Sequence, residues 1–315
     1  MKNKISKMPF IKWSGSKRKQ APYIVSQFPK EINTYYEPFV GGGSVMHELI
    51  NQIVEGNIKC NKIVCSDLNK DLIDVWNIFK DRKTRARLYD FYCNMYEQLK
   101  KRSKIQEGEE FGEVHVRNAQ SLYYEQRDIY NSLDKDDELK PYIFYWLTRT
   151  CFNGLIRYNP KTGNFNSSFH VAGKLGISPE ELEKVFDNWG STMDLVNIEF
   201  INDSYENVIC KAKKGDLVYM DPPYANIGGL YFCNGFDEDQ FWNELLNMSD
   251  KNVKWLLSYD GISGKDDLTA NVPENLFVRH EYVNSGHSSF KKLKSKTNKE
   301  MKNKDTVKDS LYINF

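Results

Sequence analysis

The chain has 315 residues and a net charge of +1 at pH 7, with 40% hydrophobic and 28% charged residues. This composition excludes a disordered chain, and no apolar run reaches the length of a membrane span. Since the N-terminus leads into no hydrophobic signal core, we expect a cytoplasmic protein with no membrane partner. The six cysteines show no CxxC pair and no metal-like spacing with the five histidines, so no metal is expected.

The first block, to about residue 80, predicts the beginning of a parallel α/β sheet. Residues 34–39 are β-prone and lead into a glycine loop, after which apolar residues recur at helical spacing over 45–54. A second short strand, 62–66, ends at Asp67. A strand, a glycine loop, a helix and a strand that ends in an acid are typical of doubly wound folds.

The middle block, 81–189, is rich in Tyr, Arg and Asn and lacks short β-branched runs. Its pattern predicts helices near 84–102, 115–132 and 138–150, and a Gly/Asn-rich loop or hairpin at 151–169. An insertion of this size between strands of one sheet indicates a domain that recognises the substrate. We therefore predict a catalytic domain formed by 1–80 and 190–315, with a target-recognition domain at 81–189.

The last block returns to strand patterns, at 196–201, 217–220, 253–259 and 310–315. Between the last two of these strands, from Lys291 to Lys308, eight lysines stand against two acids. Such a run is typical of an exposed loop, and it would also suffice for local contacts with phosphates.

Asp221-Pro222-Pro223-Tyr224 follows the apolar strand 217–220 directly. Asp221 supplies a carboxylate acceptor, and the two prolines remove backbone donors while their carbonyl oxygens stay available to a ligand. Tyr224 offers a ring on which a planar base can stack. The motif therefore predicts chemistry on the amino group of a flat base; the alternative is a plain turn that ends the strand.

The glycine loop, residues 37–44, contains neither a GxGxxG fingerprint nor the Lys-Ser/Thr ending of a phosphate loop. Asp67 lies 24 residues beyond Gly43, where doubly wound folds place an acid against ribose hydroxyls. This pattern favours a nucleoside ligand without a pyrophosphate. The alternative for Asp67 is a capping acid of the predicted helix 68–79.

Six segments together resemble the Dam-type, alpha-ordered D12 class of DNA adenine-N6 methyltransferases, collinearly over about 10–225. Residues 9–17, 37–44 and 221–224 resemble that family's three main motifs, and 200–205 resembles the acid-bearing segment before the catalytic strand. Residues 150–159 and 163–166 are similar to its Asn-Gly-x-x-Arg-x-Asn hairpin and the Phe-Asn that follows. The resemblance implies a Rossmann-like methyltransferase fold with a mixed seven-stranded sheet and an inserted, mainly helical recognition domain.

The resemblance also implies S-adenosylmethionine (AdoMet) as cofactor and double-stranded DNA as partner. The residues that match cofactor positions are Trp13, Lys17, Glu37, Phe39, Gly41, Gly43, Asp67, Asp203 and Asp221. Lys17 could pair with a carboxylate of the ligand or with one of the protein. Asp221 and the Pro222 carbonyl would accept the two N6 hydrogens of a flipped adenine, with Pro223 and Tyr224 completing the catalytic motif.

The candidates for DNA contact are Phe152, Asn153, Arg157, Arg127 and Asn166. Guanidinium and amide groups suit base edges and phosphates. Phe152 stands where tyrosine is the commoner residue, so it could act as a wedge without a hydroxyl. For Arg127 and its neighbours Tyr123, Tyr124, Tyr130 and Asn131, the alternative is a polar helix that packs aromatic residues on the core. Arg149 is ambiguous in the same way.

Two other functions remain open. N4-cytosine methylation uses the same geometry, although serine usually replaces the first Asp of the motif. A DNA-binding protein with an inactive methyltransferase core is the other; Trp13, Asp67 and Asp221 argue against it. No cysteine follows a proline, which excludes a cytosine-C5 nucleophile. The long lysine-rich segment favours a restriction-modification enzyme, paired in function with an endonuclease but without an obligate protein partner.

Overall fold

The fold is seen in a computed structural model. It describes residues 8–106, 108–109, 112–170, 176–223, 236–263, 266–269, 272–287 and 306–315. Tyr224 and residues 291–305 of the lysine-rich run lie outside the described residues, whereas residues 306–308, which were expected to belong to an exposed loop, form part of a strand.

A mixed sheet forms the centre of the fold. In chain order its strands are β1 Glu31–Glu37, β2 Lys59–Asp67, β3 Ile198–Asn202, β4 Leu217–Met220, β5 Lys254–Ser263, β6 Asp266–Asp267, β7 Arg279–His287 and β8 Thr306–Ile313. Across the sheet the order is β3-β2-β1-β4-β5-β8-β7, and the two-residue β6 pairs with β5. The first five strands are parallel, whereas β8 is antiparallel to both neighbours. Among the described residues, the predicted Rossmann-like mixed sheet of seven strands is confirmed, with β6 as a short addition.

The strand order reverses between β1 and β4, and this reversal determines where a ligand can bind. β1 pairs with β2 on one side and with β4 on the other, all three running parallel. At such a switch point the loops that follow neighbouring strands diverge and leave a crevice at the carboxyl edge of the sheet. The segments after β1 and β4 begin at Pro38 and Asp221, so two of the recognised motifs share this edge.

The α-helices of the described residues are α1 Ala21–Ser26, α2 Ser44–Val54, α3 Lys70–Lys80, α4 Arg82–Ser103, α5 Glu113–Ser132, α6 Lys140–Thr150, α7 Pro179–Met193, α8 Tyr205–Ile209 and α9 Glu238–Asp250. The predicted helices at 45–54, 84–102, 115–132 and 138–150 agree with α2, α4, α5 and α6. Among the described residues, none of the helices is long and apolar enough to cross a membrane.

Contacts between residues group the chain into two units. The sheet unit contains 17–68 and 196–223 and most of the chain beyond; the helical unit contains 69–195 together with the N-terminal segment up to Ser16. These limits differ from the predicted boundaries at 80/81 and 189/190, because α3 and the N-terminal segment are grouped with the helices. The role of the helical part in target recognition stays a prediction.

The sheet unit has a core made mainly by strands that are covered on both faces. All four residues of β4 are buried, as are Trp255 and Leu257 of β5. Phe241 and Leu245 of α9 pack into the same cluster. Strands covered on both faces read as continuous apolar runs, which is why 217–220 was recognisable in the sequence.

The helical unit has an aromatic core around Phe10. The Phe10 ring lies 3.8 Å from that of Phe79, 4.9 Å from that of Tyr145 and 5.1 Å from that of Trp76, measured between centroids. The Arg149 guanidinium, which is buried, donates to the Pro9 carbonyl at 2.9 Å. These contacts hold the N-terminal segment in the helical unit, and they identify Arg149 as a structural anchor.

Candidate active site

Four acids of the sheet unit lie at or next to the carboxyl ends of its parallel strands. Glu37 ends β1, Asp67 ends β2, Asp203 follows β3 and Asp221 follows β4. The pairing register supports this common edge, since Glu37 is the partner of Cys65 and Asp67 that of Asn202. Acids on four adjacent strands therefore lie at one edge of the sheet, which the sequence predicted only for the ends of β2 and β4.

Lys17 forms the central ion pair of this edge. Its ammonium nitrogen Nζ lies 2.7 Å from Oδ1 of Asp221 and 3.6 Å from Oδ2 of Asp309, and the lysine side chain is 5% exposed. Burial alone would lower the pKa of Lys17, but the carboxylates of Asp221 and Asp309 outweigh it and raise that pKa above its ordinary value. The sequence left open whether Lys17 pairs with a carboxylate of the ligand or of the protein, and in the structure it pairs with two carboxylates of the protein.

Glu37 is a buried acid beside this pair. The Tyr35 hydroxyl donates to its Oε2 at 2.7 Å, and the residue is 3% exposed. Burial raises the pKa of Glu37 to about 8; the Tyr35 hydrogen bond opposes this rise, and the charge of Asp221 reinforces it. At neutral pH the Glu37 carboxyl is therefore mostly protonated, ready to ionise when a cation lies beside it.

The glycine loop is bound to the end of β2. Gly41 and Gly43 have φ values of +47° and +65°, in the left-handed region that favours glycine. The Gly41 amide donates to Oδ2 of Asp67 at 3.2 Å, and the Val40 amide donates to the Ser66 carbonyl at 2.9 Å. The helix cap proposed as the alternative for Asp67 is supplied instead by Asn69, whose Oδ1 accepts from the Leu72 amide.

Phe39 and Asp203 lie at the same edge, and each contacts a residue of α8. The ring of Phe39 stacks on that of Tyr205 with centroids 5.5 Å apart. Oδ1 of Asp203 accepts from the Asn207 amide at 2.8 Å and from the Ser204 amide at 2.9 Å. The hydrogen bond from Asn207 is the main reason that the pKa of Asp203 lies below its ordinary value.

For the other predicted residues of this site, the structure gives their burial and the unit to which they belong. Pro222 is buried and Pro223 half-buried, next to Asp221. Trp13 is half-buried and belongs to the helical unit, so the sheet unit does not contain it.

The predicted DNA-contacting residues lie on a hairpin of the helical unit. Bridges join Cys151 to Phe169 and Tyr158 to Phe165, which confirms the hairpin expected at 151–169. Asn153, Arg157 and Asn166 are exposed, whereas Phe152 is half-buried with its ring 6.0 Å from that of His170. The hairpin thus presents polar side chains to solvent. Their contact with DNA stays a prediction.

Helix α5 holds this hairpin from behind. The Asn131 side chain accepts from the Phe165 amide at 2.8 Å and donates to the Phe165 carbonyl at 3.0 Å. The buried Tyr123 hydroxyl donates to the Ser167 carbonyl at 3.0 Å. The guanidinium carbon of Arg127 lies 4.7 Å from the centre of the Tyr124 ring, and its NH1 lies 3.5 Å from the same Ser167 carbonyl. The alternative given for this helix face was packing within the protein, and these contacts fit that alternative for Tyr123 and Asn131.

Three residues of the site were missed by the sequence analysis: Gln20, Asp260 and Asp309. Nε2 of Gln20 donates to Oδ2 of Asp309 at 3.0 Å. Burial, reinforced by the charge of Asp309, raises the pKa of Asp260 to about 6. Gln20 directly precedes α1, Asp260 lies in β5 and Asp309 lies in β8. No local motif connects the three residues. Within the described ranges, no group of His, Cys, Asp or Glu side chains could hold a metal ion.

Comparisons with known proteins identify the family to which the chain is similar. A family model described as D12 class N6 adenine-specific DNA methyltransferase matches residues 13–301. The type II methyltransferase M1.LlaDCHI of Lactococcus lactis subsp. cremoris is 30% identical over 245 residues, covering 76% of this chain and 74% of its own. The type II methyltransferase M.MjaIII of Methanocaldococcus jannaschii is 31% identical, with 69% and 68% covered. The DNA adenine methylase of Haemophilus influenzae is 29% identical, with 76% and 72% covered.

Among solved structures, the rRNA methyltransferase AviRa of Streptomyces viridochromogenes covers 99% of this chain, and 93% of AviRa is covered in return. Its TM-score is 0.39 and its sequence identity 7%, which is too distant to support an inference.

Proposed function

We propose that this chain, which belongs to the D12 class N6 adenine-specific DNA methyltransferases, transfers the methyl group of AdoMet to N6 of an adenine flipped out of double-stranded DNA. The observation that carries the proposal is the 2.7 Å ion pair between Lys17 and Asp221 at the end of β4. It fixes one carboxylate oxygen of the motif in a buried setting, so that the carboxylate is oriented before substrate arrives.

The donor set at the sheet edge fits AdoMet. The ligand carries a sulfonium, an ammonium and two ribose hydroxyls, and the edge offers the carboxyls of Glu37 and Asp67. Asp67 suits the ribose because it follows β2, beside the glycine loop that its Oδ2 holds through Gly41. Glu37 suits a cationic group, because a nearby positive charge would lower its raised pKa and ionise it. Phe39 and Asp203 would border the remaining part of the ligand, and Trp13 is proposed as a further contact.

The chemistry follows from the electronic structure of adenine. The N6 lone pair is delocalised into the ring, so the nitrogen is a poor nucleophile until its geometry becomes tetrahedral. Asp221 and the Pro222 carbonyl would accept the two amino hydrogens and draw the nitrogen toward that geometry. Hydrogen bonds to a carboxylate strengthen as positive charge develops on the nitrogen, which stabilises the transition state more than the ground state. When bound, AdoMet supplies the electrophilic methyl group.

Lys17 would orient this acceptor. It binds Oδ1 of Asp221, which restricts rotation of the carboxylate, and the other oxygen would accept from the target amine. Tyr224 would stack on the flipped base, with Pro223 restricting the chain between them.

The hairpin 151–169 and α5 would provide contacts with DNA. The exposed Arg157, Asn153 and Asn166 suit phosphates and base edges, and Phe152 would act as the wedge between base pairs. Arg127 would support these contacts by holding the hairpin through the Ser167 carbonyl.

A role in restriction-modification is supported by the names of two relatives, which are type II methyltransferases. In that role the partner in function would be an endonuclease that cuts the same sequence when it is unmethylated.

The Asp221→Asn variant tests the proposal, because it keeps the shape of the side chain and removes its charge. We expect the single-turnover rate of methyl transfer to DNA to fall by about a hundredfold or more. The circular dichroism spectrum should stay unchanged. The matched control is Asp239→Asn, at an exposed aspartate in the first turn of α9, which should react at the wild-type rate. Wild-type activity of Asp221→Asn would contradict the proposed mechanism.

A further inference from the structure

Asp309 contacts the same lysine as the motif aspartate, although it lies far from the motifs. It belongs to β8, beyond residue 301, where the match to the family ends. Its Oδ2 is 3.6 Å from Nζ of Lys17, and its side chain is 14% exposed. A single buried cation is therefore shared by Asp221 and Asp309.

The position of Asp309 is fixed by neighbouring groups of the sheet unit. Lys17 and Gln20 are three residues apart in the turn before α1, where the Gln20 amide donates to the Lys17 carbonyl at 2.8 Å. Nε2 of Gln20 donates to Asp309 at 3.0 Å, to Ser285 Oγ at 2.8 Å and to the Val283 carbonyl at 3.3 Å. Val283 of β7 is the strand partner of Asp309. Gln20 thus ties the Asp309 carboxylate to β7.

Within the described part of the chain, the ion pairs of Lys17 join one ammonium group to two carboxylates. Asp221 and Asp309 together carry two negative charges when ionised, against one positive charge on the lysine. Asp260 belongs to the same cluster, because its pKa responds to the charges of Asp309, Lys17 and Asp221. A β-bulge places it there, between Tyr259 and Ile262 of β5. Gly261 permits this bulge, since a Cβ there would lie 2.2 Å from the Lys308 carbonyl oxygen.

We propose that Asp309 is a positioning residue for methyl transfer, which shares the charge of Lys17 and so keeps Asp221 a strong acceptor for the target amine. This inference rests on the proposed function. A lysine paired with Asp221 alone would neutralise that carboxylate and weaken its hydrogen bonds to a nitrogen that becomes positive. With Asp309 on the other side, the trio retains a net negative charge where positive charge develops. The carboxylate of Asp309 also limits the motion of Lys17, and thereby the orientation of Asp221.

The test compares Asp309→Asn, Asp309→Glu and a control, Asp267→Asn, which alters an exposed aspartate of the same sheet. Asparagine can still accept from Gln20 but carries no charge, whereas glutamate restores the charge. The measurements are the single-turnover rate of methyl transfer to DNA, the Kd for AdoMet by calorimetry, the melting temperature, and the pKa of Asp260 by carboxyl NMR, assigned with Asp260→Asn.

We expect Asp309→Asn to slow methyl transfer by about tenfold, the equivalent of one pKa unit of lost interaction. The Kd for AdoMet and the melting temperature should stay close to wild type, Asp309→Glu should recover most of the rate, and Asp267→Asn should be unaffected. The pKa of Asp260, about 6 in the native protein, should shift down in Asp309→Asn, because one of the charges that raises it is gone.

A wild-type rate in Asp309→Asn would overturn the inference. The inference would also be overturned if Asp309→Asn and Asp309→Glu lost rate and melting temperature to the same extent, because a purely structural role gives that result. If the wild-type protein transferred no methyl group to DNA, the proposed function would fail separately. The shift of Asp260 would then still decide whether Asp309 shares the charge of this cluster: an unchanged pKa of Asp260 overturns that sharing.

Discussion

Glu37 shows how burial at a single residue couples the site to pH. Its pKa is about 8 in the folded protein, above the ordinary value of 4.5. Between these two values the folded state holds a proton that the unfolded state has released. The stability that depends on this proton is present at low pH and is lost as the pH rises toward 8. A protein selected for stability alone would avoid such a group, so its presence is consistent with a ligand that is cationic.

The Glu37→Gln variant measures this coupling, because glutamine resembles the protonated acid but cannot ionise. We expect the free energy of unfolding of the variant, relative to wild type, to rise by about 1.4 kcal/mol per pH unit within the window from 5.5 to 7.5. Urea denaturation at three pH values provides the measurement. Glu31→Gln, at the exposed start of the same strand, is the control and should show no such trend. Parallel pH profiles for Glu37→Gln and wild type would show that Glu37 titrates normally.

Residues of the site were predictable where chemistry and sequence position coincide. Asp67 ends one short strand and Asp221 follows another, so their common edge could be inferred from the chain alone. The partner of Lys17 could not, because Asp221 and Asp309 lie about 200 and 290 residues away in sequence and pairing across that distance depends on the sheet order. Asp309 follows a lysine in a segment that reads as a basic run, which conceals its burial.

At the scale of elements, the hairpin 151–169 depends on α5 for its shape. The paired hydrogen bonds between Asn131 and Phe165 connect the two, and Phe165 is buried. A hairpin of this length with only isolated bridges has little stability of its own. Its exposed polar residues are therefore held in place by α5.

Asn131→Ala tests this dependence by removing both hydrogen bonds. We expect a loss of about 1–3 kcal/mol in the free energy of unfolding, because the Phe165 amide and carbonyl are left without partners. Amide exchange at Phe165 should become faster, and the affinity for DNA should fall while the affinity for AdoMet is unchanged. The control is Asn94→Ala, which changes an exposed asparagine on α4. Equal effects on both affinities would contradict a role confined to the hairpin.

Strand β7 and helix α7 are among the elements that were not predicted, and the reasons differ. β7 lies at the edge of the sheet, where polar residues such as His280, Glu281 and Asn284 are tolerated, so it lacks the apolar run of a buried strand. Helix α7 begins at Pro179 after Ser178, whose side chain accepts from the Glu181 amide. Serine, proline and two acids in succession are a helix-start pattern, so α7 could have been recognised from sequence.

At the scale of the whole molecule, the two units explain why a boundary read from sequence differs from one read from contacts. Phe10 and Trp76 both precede the predicted insertion in sequence, but both pack in the aromatic core of the helical unit. Composition detects the change at residue 81, whereas packing extends the unit back to α3 and to the N-terminal segment. Long-range packing of this kind leaves no periodic signal in the chain.

The net charge of +1 implies that general attraction to DNA is weak. Recognition then depends on local groups and on the chemistry at Asp221, so the identity of the methylated base is the most direct test of the account. The protein is expressed in a host free of DNA methylation, and the nucleosides of the host DNA are measured by mass spectrometry, with Asp221→Asn as the control. We predict N6-methyldeoxyadenosine with the wild-type protein and none with the variant. N4-methyldeoxycytidine, or no modified nucleoside from a protein that is expressed and folded, would contradict the account.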